Sequence, residues 1–147
     1  MTATTTRTDS KVPVVVTVPT LELAGIAGLA SMVAIHATLL AGKTSEVPYL
    51  GAGYVALIAG AVVGIAMLAV RDPRAWKMTV ATAGATLIGF VLTRTTGLPG
   101  STDDIGNWGE TLAVWAMLSE IGILVVAAFA FRRDRTARRH PWRASER

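Results

Sequence analysis

Four long stretches almost without charge govern what this chain can fold into. Tyrosine apart, between Leu23 and Leu40 the only ionisable side chain is His36; between Gly51 and Val70, and between Met78 and Thr93, there is none; between Thr111 and Phe131 there is only Glu120. Each stretch is about as long as a helix needs to cross a hydrocarbon core of roughly 30 Å at about 1.5 Å per residue. The third is the shortest and needs Trp76 or Arg94 to complete it. Lipid offers nothing to satisfy backbone N–H and C=O groups, so helices are the plausible spanning structure. The alternating strands of a membrane barrel are absent from the sequence.

Composition agrees: 52% of the 147 residues are apolar and 16% charged, too oily for a water-facing globule. With no cysteine, disulfides, thiolate metal sites, thiol nucleophiles and iron–sulfur ligation are excluded. The net charge of +4 does not argue for nucleic acid, because half of the Lys and Arg residues fall in the last sixteen positions, beside a membrane span. That placement suits a membrane surface.

The expected fold is therefore an all-α membrane protein, an antiparallel bundle of four transmembrane helices forming one domain over 21–131. The spans run over about 21–41, 51–70, 76–93 and 111–131. A disordered cytoplasmic N-terminal tail is expected over 1–20 and a basic cytoplasmic C-terminal tail over 132–147. The polar run Met1 to Lys11 does not read as a signal peptide, since the apolar segment after it is too long and lacks a clear small-residue cleavage site. Pro19 suits the first turn of the first span, and Pro48 and Pro73 fall in connections.

Orientation follows from the positive-inside rule. Arg7, Lys11, Arg71, Arg74, Lys77 and seven arginines after Phe131 make twelve basic residues on one side; Lys43 and Arg94 make two on the other. Both termini are expected in the cytoplasm. Tyr49, Tyr54 and Trp108 then lie at the outer boundary and Trp76 and Trp142 at or beyond the inner one, while Trp115, one turn into the fourth span, faces either lipid or the bundle. Small residues at close-packing spacing, Gly60-x-x-x-Gly64 and the set Gly25, Gly28 and Ser31, mark candidate helix contacts. The two hairpins share no residue pattern, which gives little support to a repeat-built transporter.

Few residues are placed to do chemistry. Glu120 lies near the middle of the fourth span, where an ionised carboxylate is expensive and a carboxyl is functional by default or a hydrogen-bonded neutral acid. His36 lies less than two turns from the outer end of the first span, shallower than Glu120 by roughly 6 Å of helical rise. Tilt or side-chain reach can close that gap. Such a pair can relay a proton or supply two metal ligands, which do not complete a metal site.

The stretch from Arg94 to Gly109 is long for a membrane hairpin and rich in turn formers, which favours an ordered cap or binding loop over a plain connector. Arg94 with Asp103, Asp104 and Glu110 forms a salt-bridge cluster or a site for a cation or anionic headgroup; Trp108 belongs to the same loop. Ca-loop spacing is absent. So are the phosphate loop, the Gly-x-Ser-x-Gly elbow and His-Glu-x-x-His. One intramembrane histidine excludes bis-histidine haem within a single subunit.

Ile35-His36, Arg94-Thr-x-Gly-Leu-Pro99 and Glu120 together resemble a group of small four-helix bacterial membrane proteins, over roughly Leu21 to Phe131. The resemblance implies that His36, Arg94 and Glu120 belong together, and a multi-pass place in the bacterial cytoplasmic membrane. It brings no substrate or cofactor.

Two readings of function stand. In the first, the chain is a non-enzymatic accessory or assembly subunit of a membrane complex, given its small size, incomplete catalytic sets and Gly-rich helix faces. In the second, it handles a small solute, proton or metal ion through Glu120 and His36. The expected surroundings are the lipid bilayer and a membrane-protein partner or second copy, not nucleic acid, and no cofactor is expected.

Overall fold

The computed structural model describes residues 20–139, the side chains of 137–139 excepted. The tail expected over 1–20, apart from Thr20, lies outside the described residues, as do 140–147 with Trp142. Four helices form: α1 (Thr20–Glu46), α2 (Pro48–Ala69), α3 (Ala75–Thr95) and α4 (Thr111–Arg139). Each is long and apolar enough to cross a membrane. The chain is an all-α, four-helix integral membrane protein. The helices are longer than the apolar stretches that announce them, and α4 runs on from Phe131 to Arg139 because the arginines there are good helix formers and continue its backbone bonds.

The helices stand in a ring. Each packs against its neighbours in sequence and α4 closes against α1, whereas α2 and α4 lie diagonally opposite and do not pack together. The α1–α2 turn and the α3–α4 loop thus share one end of the bundle, and the tight α2–α3 turn shares the other with the start of α1 and the end of α4. An ion pair ties that second end, Arg133 Nη2 donating to the buried Glu22 Oε1 at 2.9 Å.

Small residues let the helices approach. A side chain on Gly25 would meet Leu68 and Trp76, one on Gly28 would meet Ile123, one on Gly60 would meet Thr82 and Met78, and one on Gly64 would meet Leu29. Four of the small-residue positions therefore serve contacts within the chain. Ser31 does not: it is exposed and donates to its own helix at Ala27 O. Leu29, Met32, Leu68 and Ile123 fill the centre together with Ala61, Ala83, Ala127 and Ala130. Trp76 is buried against Gly25 in this core, and Trp115 faces outward.

The loop end is shaped by its turn residues. Gly97, at φ +71°, stops α3: its N–H and that of Thr96 both donate to Leu92 O, and the left-handed backbone brings Ile105 and Thr102 close over it. Leu98 and Ser101 then exchange backbone hydrogen bonds at 3.0 and 2.8 Å, and Gly106 N donates to Arg94 O at 2.9 Å. The long connection is thus folded back on the end of α3. Tyr49 Oη, at the start of α2, donates to Pro99 O and fastens the loop from the other side.

Candidate functional site

Arg94 organises the loop end. It stands in the last turn of α3, is only 5% exposed, and its Nη1 meets Asp104 Oδ1 at 2.6 Å while its Nη2 meets Glu110 Oε2 at 2.7 Å. A guanidinium fork suits this task, since it presents several donors in one plane to two carboxylates at once. Lys43, from the last turn of α1, joins from a third element, 3.4 Å from Asp104 and 2.9 Å from Glu46. Burial pushes the Asp104 carboxyl up, but the Arg94 hydrogen bond and the charges of Lys43 and Arg94 outweigh it and hold the group below its ordinary value. Trp108 packs edge-on to Phe90, whose face also carries the Arg94 guanidinium at 5.4 Å. Asp103 is exposed and stands outside this cluster.

Beneath the cluster lies a cavity of about 660 Å³, walled mainly by α2 and α3 and closed behind by α1 and α4. The two front helices make their close contacts, Gly60 on Thr82 and Met78, toward their shared turn, and they leave this space on the loop side. The wall is mostly apolar, with Leu39, Leu57 and Phe90 among its members. Gly53 and Ala56 of α2 and Ala81 and Ala85 of α3 line the cavity and are also exposed, so it is a cleft open to the side between these helices.

At the back of the cleft two polar residues from different helices converge. His36 of α1 is 5% exposed and Glu120 of α4 is 1% exposed, with Nε2 and Oε1 3.9 Å apart. The His36 ring is fixed by a 2.8 Å contact from Nδ1 to Met32 O. A carbonyl oxygen only accepts, so Nδ1 carries the hydrogen, and in the neutral form of the ring the lone pair of Nε2 is turned toward Glu120. Glu120 Oε2 is buried and has no hydrogen-bond partner among the described residues. Tyr54 of α2 stacks at a tilt on the imidazole, ring centroids 5.3 Å apart, and lines the same cavity.

The structure thus brings His36 to Glu120 and sets Arg94 with Asp104 and Glu110, placing both groups on one cavity. Arg94 does not touch the His36–Glu120 pair; from His36 to Lys43 the helix rises about 10 Å, which separates floor from mouth. Sequence reasoning missed Lys43 and Glu46 as members of the mouth, Tyr54 as a neighbour of His36, and the Glu22–Arg133 pair. The signal for Glu22 was present, as an acid in the first turn of a membrane helix with arginines at the matching end of α4.

Comparison with protein-family models, with curated proteins and with solved structures finds no match to this chain.

Proposed function

We propose that this membrane protein binds a small solute inside its bundle and handles it together with a proton, with Glu120 and His36 as the polar floor of the site and the Arg94 loop as its mouth. One observation carries the reading: two buried ionisable residues far from the ends of their spans, on different helices, meet at 3.9 Å on the wall of a single cavity. A volume of about 660 Å³ falls within the range of small-molecule sites, as does a largely apolar wall with few convergent polar groups. A buried carboxyl beside an imidazole is the kind of intramembrane group that marks solute and proton paths. Lys and Arg counts favour a mouth on the outer face with both termini inside, and the resemblance favours the bacterial cytoplasmic membrane.

An accessory or assembly role drew support from glycine faces free to receive a partner. Gly25, Gly28, Gly60 and Gly64 use those faces inside the bundle, which is why the solute reading is preferred.

Small molecules extracted from the protein purified in mild detergent test the proposal. The wild type is expected to carry an organic solute that Glu120→Gln and Gly89→Leu each lose. Gly89 lines the cavity and a Cβ there would meet nothing within 4 Å, so leucine at this position is expected to narrow the cleft. Equal retention of solute by both folded variants would sink the assignment.

A further inference from the structure

Once Glu120 has given up its proton, the floor of the cavity offers two acceptors and no donor. His36 gives its Nδ1 hydrogen to Met32 O, which leaves the Nε2 lone pair, and Glu120 in its ionised form has acceptor oxygens alone. At 3.9 Å, Nε2 and Oε1 are too far apart to bond each other. One nitrogen placed about 2.9 Å from both would donate to each, with roughly 85° between the two directions. That arrangement suits a nitrogen carrying at least two hydrogens. The unpartnered Glu120 Oε2 adds a further acceptor at the same place.

A metal ion fits less well. Among the described residues no third His, Asp or Glu stands with these two, and walls of Leu39, Leu57 and Phe90 lack the oxygen shell that a hard cation needs. An uncompensated carboxylate so deep in the membrane is costly, so Glu120 holds a proton or a cation. Of the charges lining the cavity, Lys43 and Arg94 balance Asp104 and Glu110, and the exposed Glu46 and Asp103 outside the lining tip the approach to the mouth negative. A net negative entrance gathers cations.

Resting on the reading of this cavity as a solute site, we infer that its solute is a lipophilic primary amine, bound as the ammonium ion in exchange for the proton on Glu120. The ammonium donates to Glu120 and to His36 Nε2, its apolar body lies along the α2–α3 cleft, and the cleft's side opening admits it from the bilayer. One cation enters as one proton leaves, so the floor keeps its net charge. The other titratable groups facing Glu120 are His36 from α1 and Tyr54 from α2. On α3 the cavity wall carries no titratable group until Arg94 at the mouth, where Lys43, Asp104 and Glu110 gather.

Calorimetric titration of the full chain in lipid nanodiscs tests this with 2-phenylethylamine, its neutral counterpart 2-phenylethanol, the anion phenylacetate, and the trimethylated ammonium analogue, which has no N–H. The amine is expected to bind with release of about one proton, seen as heat that varies with the buffer, and its affinity rises about tenfold per pH unit while Glu120 is protonated before binding. The other three probes, and the amine on Glu120→Gln, are expected to bind at least tenfold more weakly. Glu120→Asp, which keeps the charge, retains proton release. Equal binding of alcohol, phenylacetate or trimethylated analogue overturns the inference, and so does unchanged amine affinity in Glu120→Gln. If one of those probes binds and Gly89→Leu still blocks it, the solute site survives and the amine assignment alone falls. Failure of all four probes on the wild type also removes the amine assignment, and the co-purifying solute then decides the site.

Discussion

Arg94 closes the end of the bundle by gripping Asp104 at 2.6 Å, a residue ten positions further along that the intervening turn folds back over the same arginine. Because Glu110 takes the other arm of the guanidinium at 2.7 Å, one side chain fixes both the middle of the loop and the start of α4. The cavity mouth has its shape because this buried cation has two anions and no alternative partner of comparable strength within reach.

Replacing Arg94 with glutamine leaves Asp104 and Glu110 facing each other without their counter-charge. The partners are half-buried and exposed, so the loss falls between that of a surface pair and a buried one, about 2 kcal/mol. Local opening is then expected to rise roughly thirtyfold. Hydrogen exchange at the Leu98, Ser101 and Gly106 amides, which hold the turn, reports it; unchanged protection would show that the backbone bonds suffice. Arg94→Lys keeps the charge but loses the fork and is expected to fall between the two.

Acid should loosen the same loop. The Asp104 carboxyl is held below its ordinary value of 3.8, so its folded form binds a proton less readily than its unfolded form. Its contribution is therefore complete above that value and is lost as pH falls through the lower folded one. Trp108 emission, sensitive to its edge contact with Phe90, is expected to stay constant from pH 7 down to about 5 and to change below about 4. Asp104→Asn should remove that transition and start from the looser state. A transition of equal size in the asparagine variant would assign it to another acid.

How much of this was legible in the sequence depends on how far apart the partners lie along the chain. The spans were plain because charge is excluded from them, and the Arg94 cluster was legible because Asp104 and Glu110 lie close along the chain, in the connection that follows Arg94. Lys43 was not, since it reaches Asp104 from another helix. Depth reckoning left His36 and Glu120 roughly 6 Å apart along the membrane normal, a gap within the reach of helix stagger and side-chain length. Rotation was the harder quantity. Membrane helices are apolar toward lipid and toward the core alike, so periodicity does not announce the inward face. For that reason Trp76 read as an interface anchor, although Gly25 makes room for it in the core, and Ser31 read as a packing residue although it is exposed.

Close approach of α1 and α4 depends on Gly28. A methyl group there would stand 2.5 Å from Ile123 Cγ1, an atom near the root of its side chain and unable to swing clear cheaply. Gly28→Ala is expected to destabilise the bundle by about 1–3 kcal/mol, as overpacking does. Gly84→Ala provides the control, because nothing lies within 4 Å of its added carbon and alanine is the better helix former. Unfolding in mixed micelles should separate the two; equal stability would mean that Ile123 repacks freely.

The membrane orientation rests on where the basic residues stand, and the chain is well suited to a direct test because it contains no cysteine. Asp103 is exposed in the α3–α4 loop, and Arg74 is exposed in the α2–α3 turn at the opposite end of the bundle. A single cysteine at each position samples the two sides in turn. Translocating the turn would carry Arg71, Arg74 and Lys77 across together with the arginines beyond Phe131, whereas translocating the loop end carries only Lys43 and Arg94. A membrane-impermeant maleimide added to intact cells is therefore expected to label Asp103→Cys, and to label Arg74→Cys only once the membrane has been opened. The reverse pattern would turn the cavity mouth toward the cytoplasm, and the cation-gathering entrance would then face the interior of the cell.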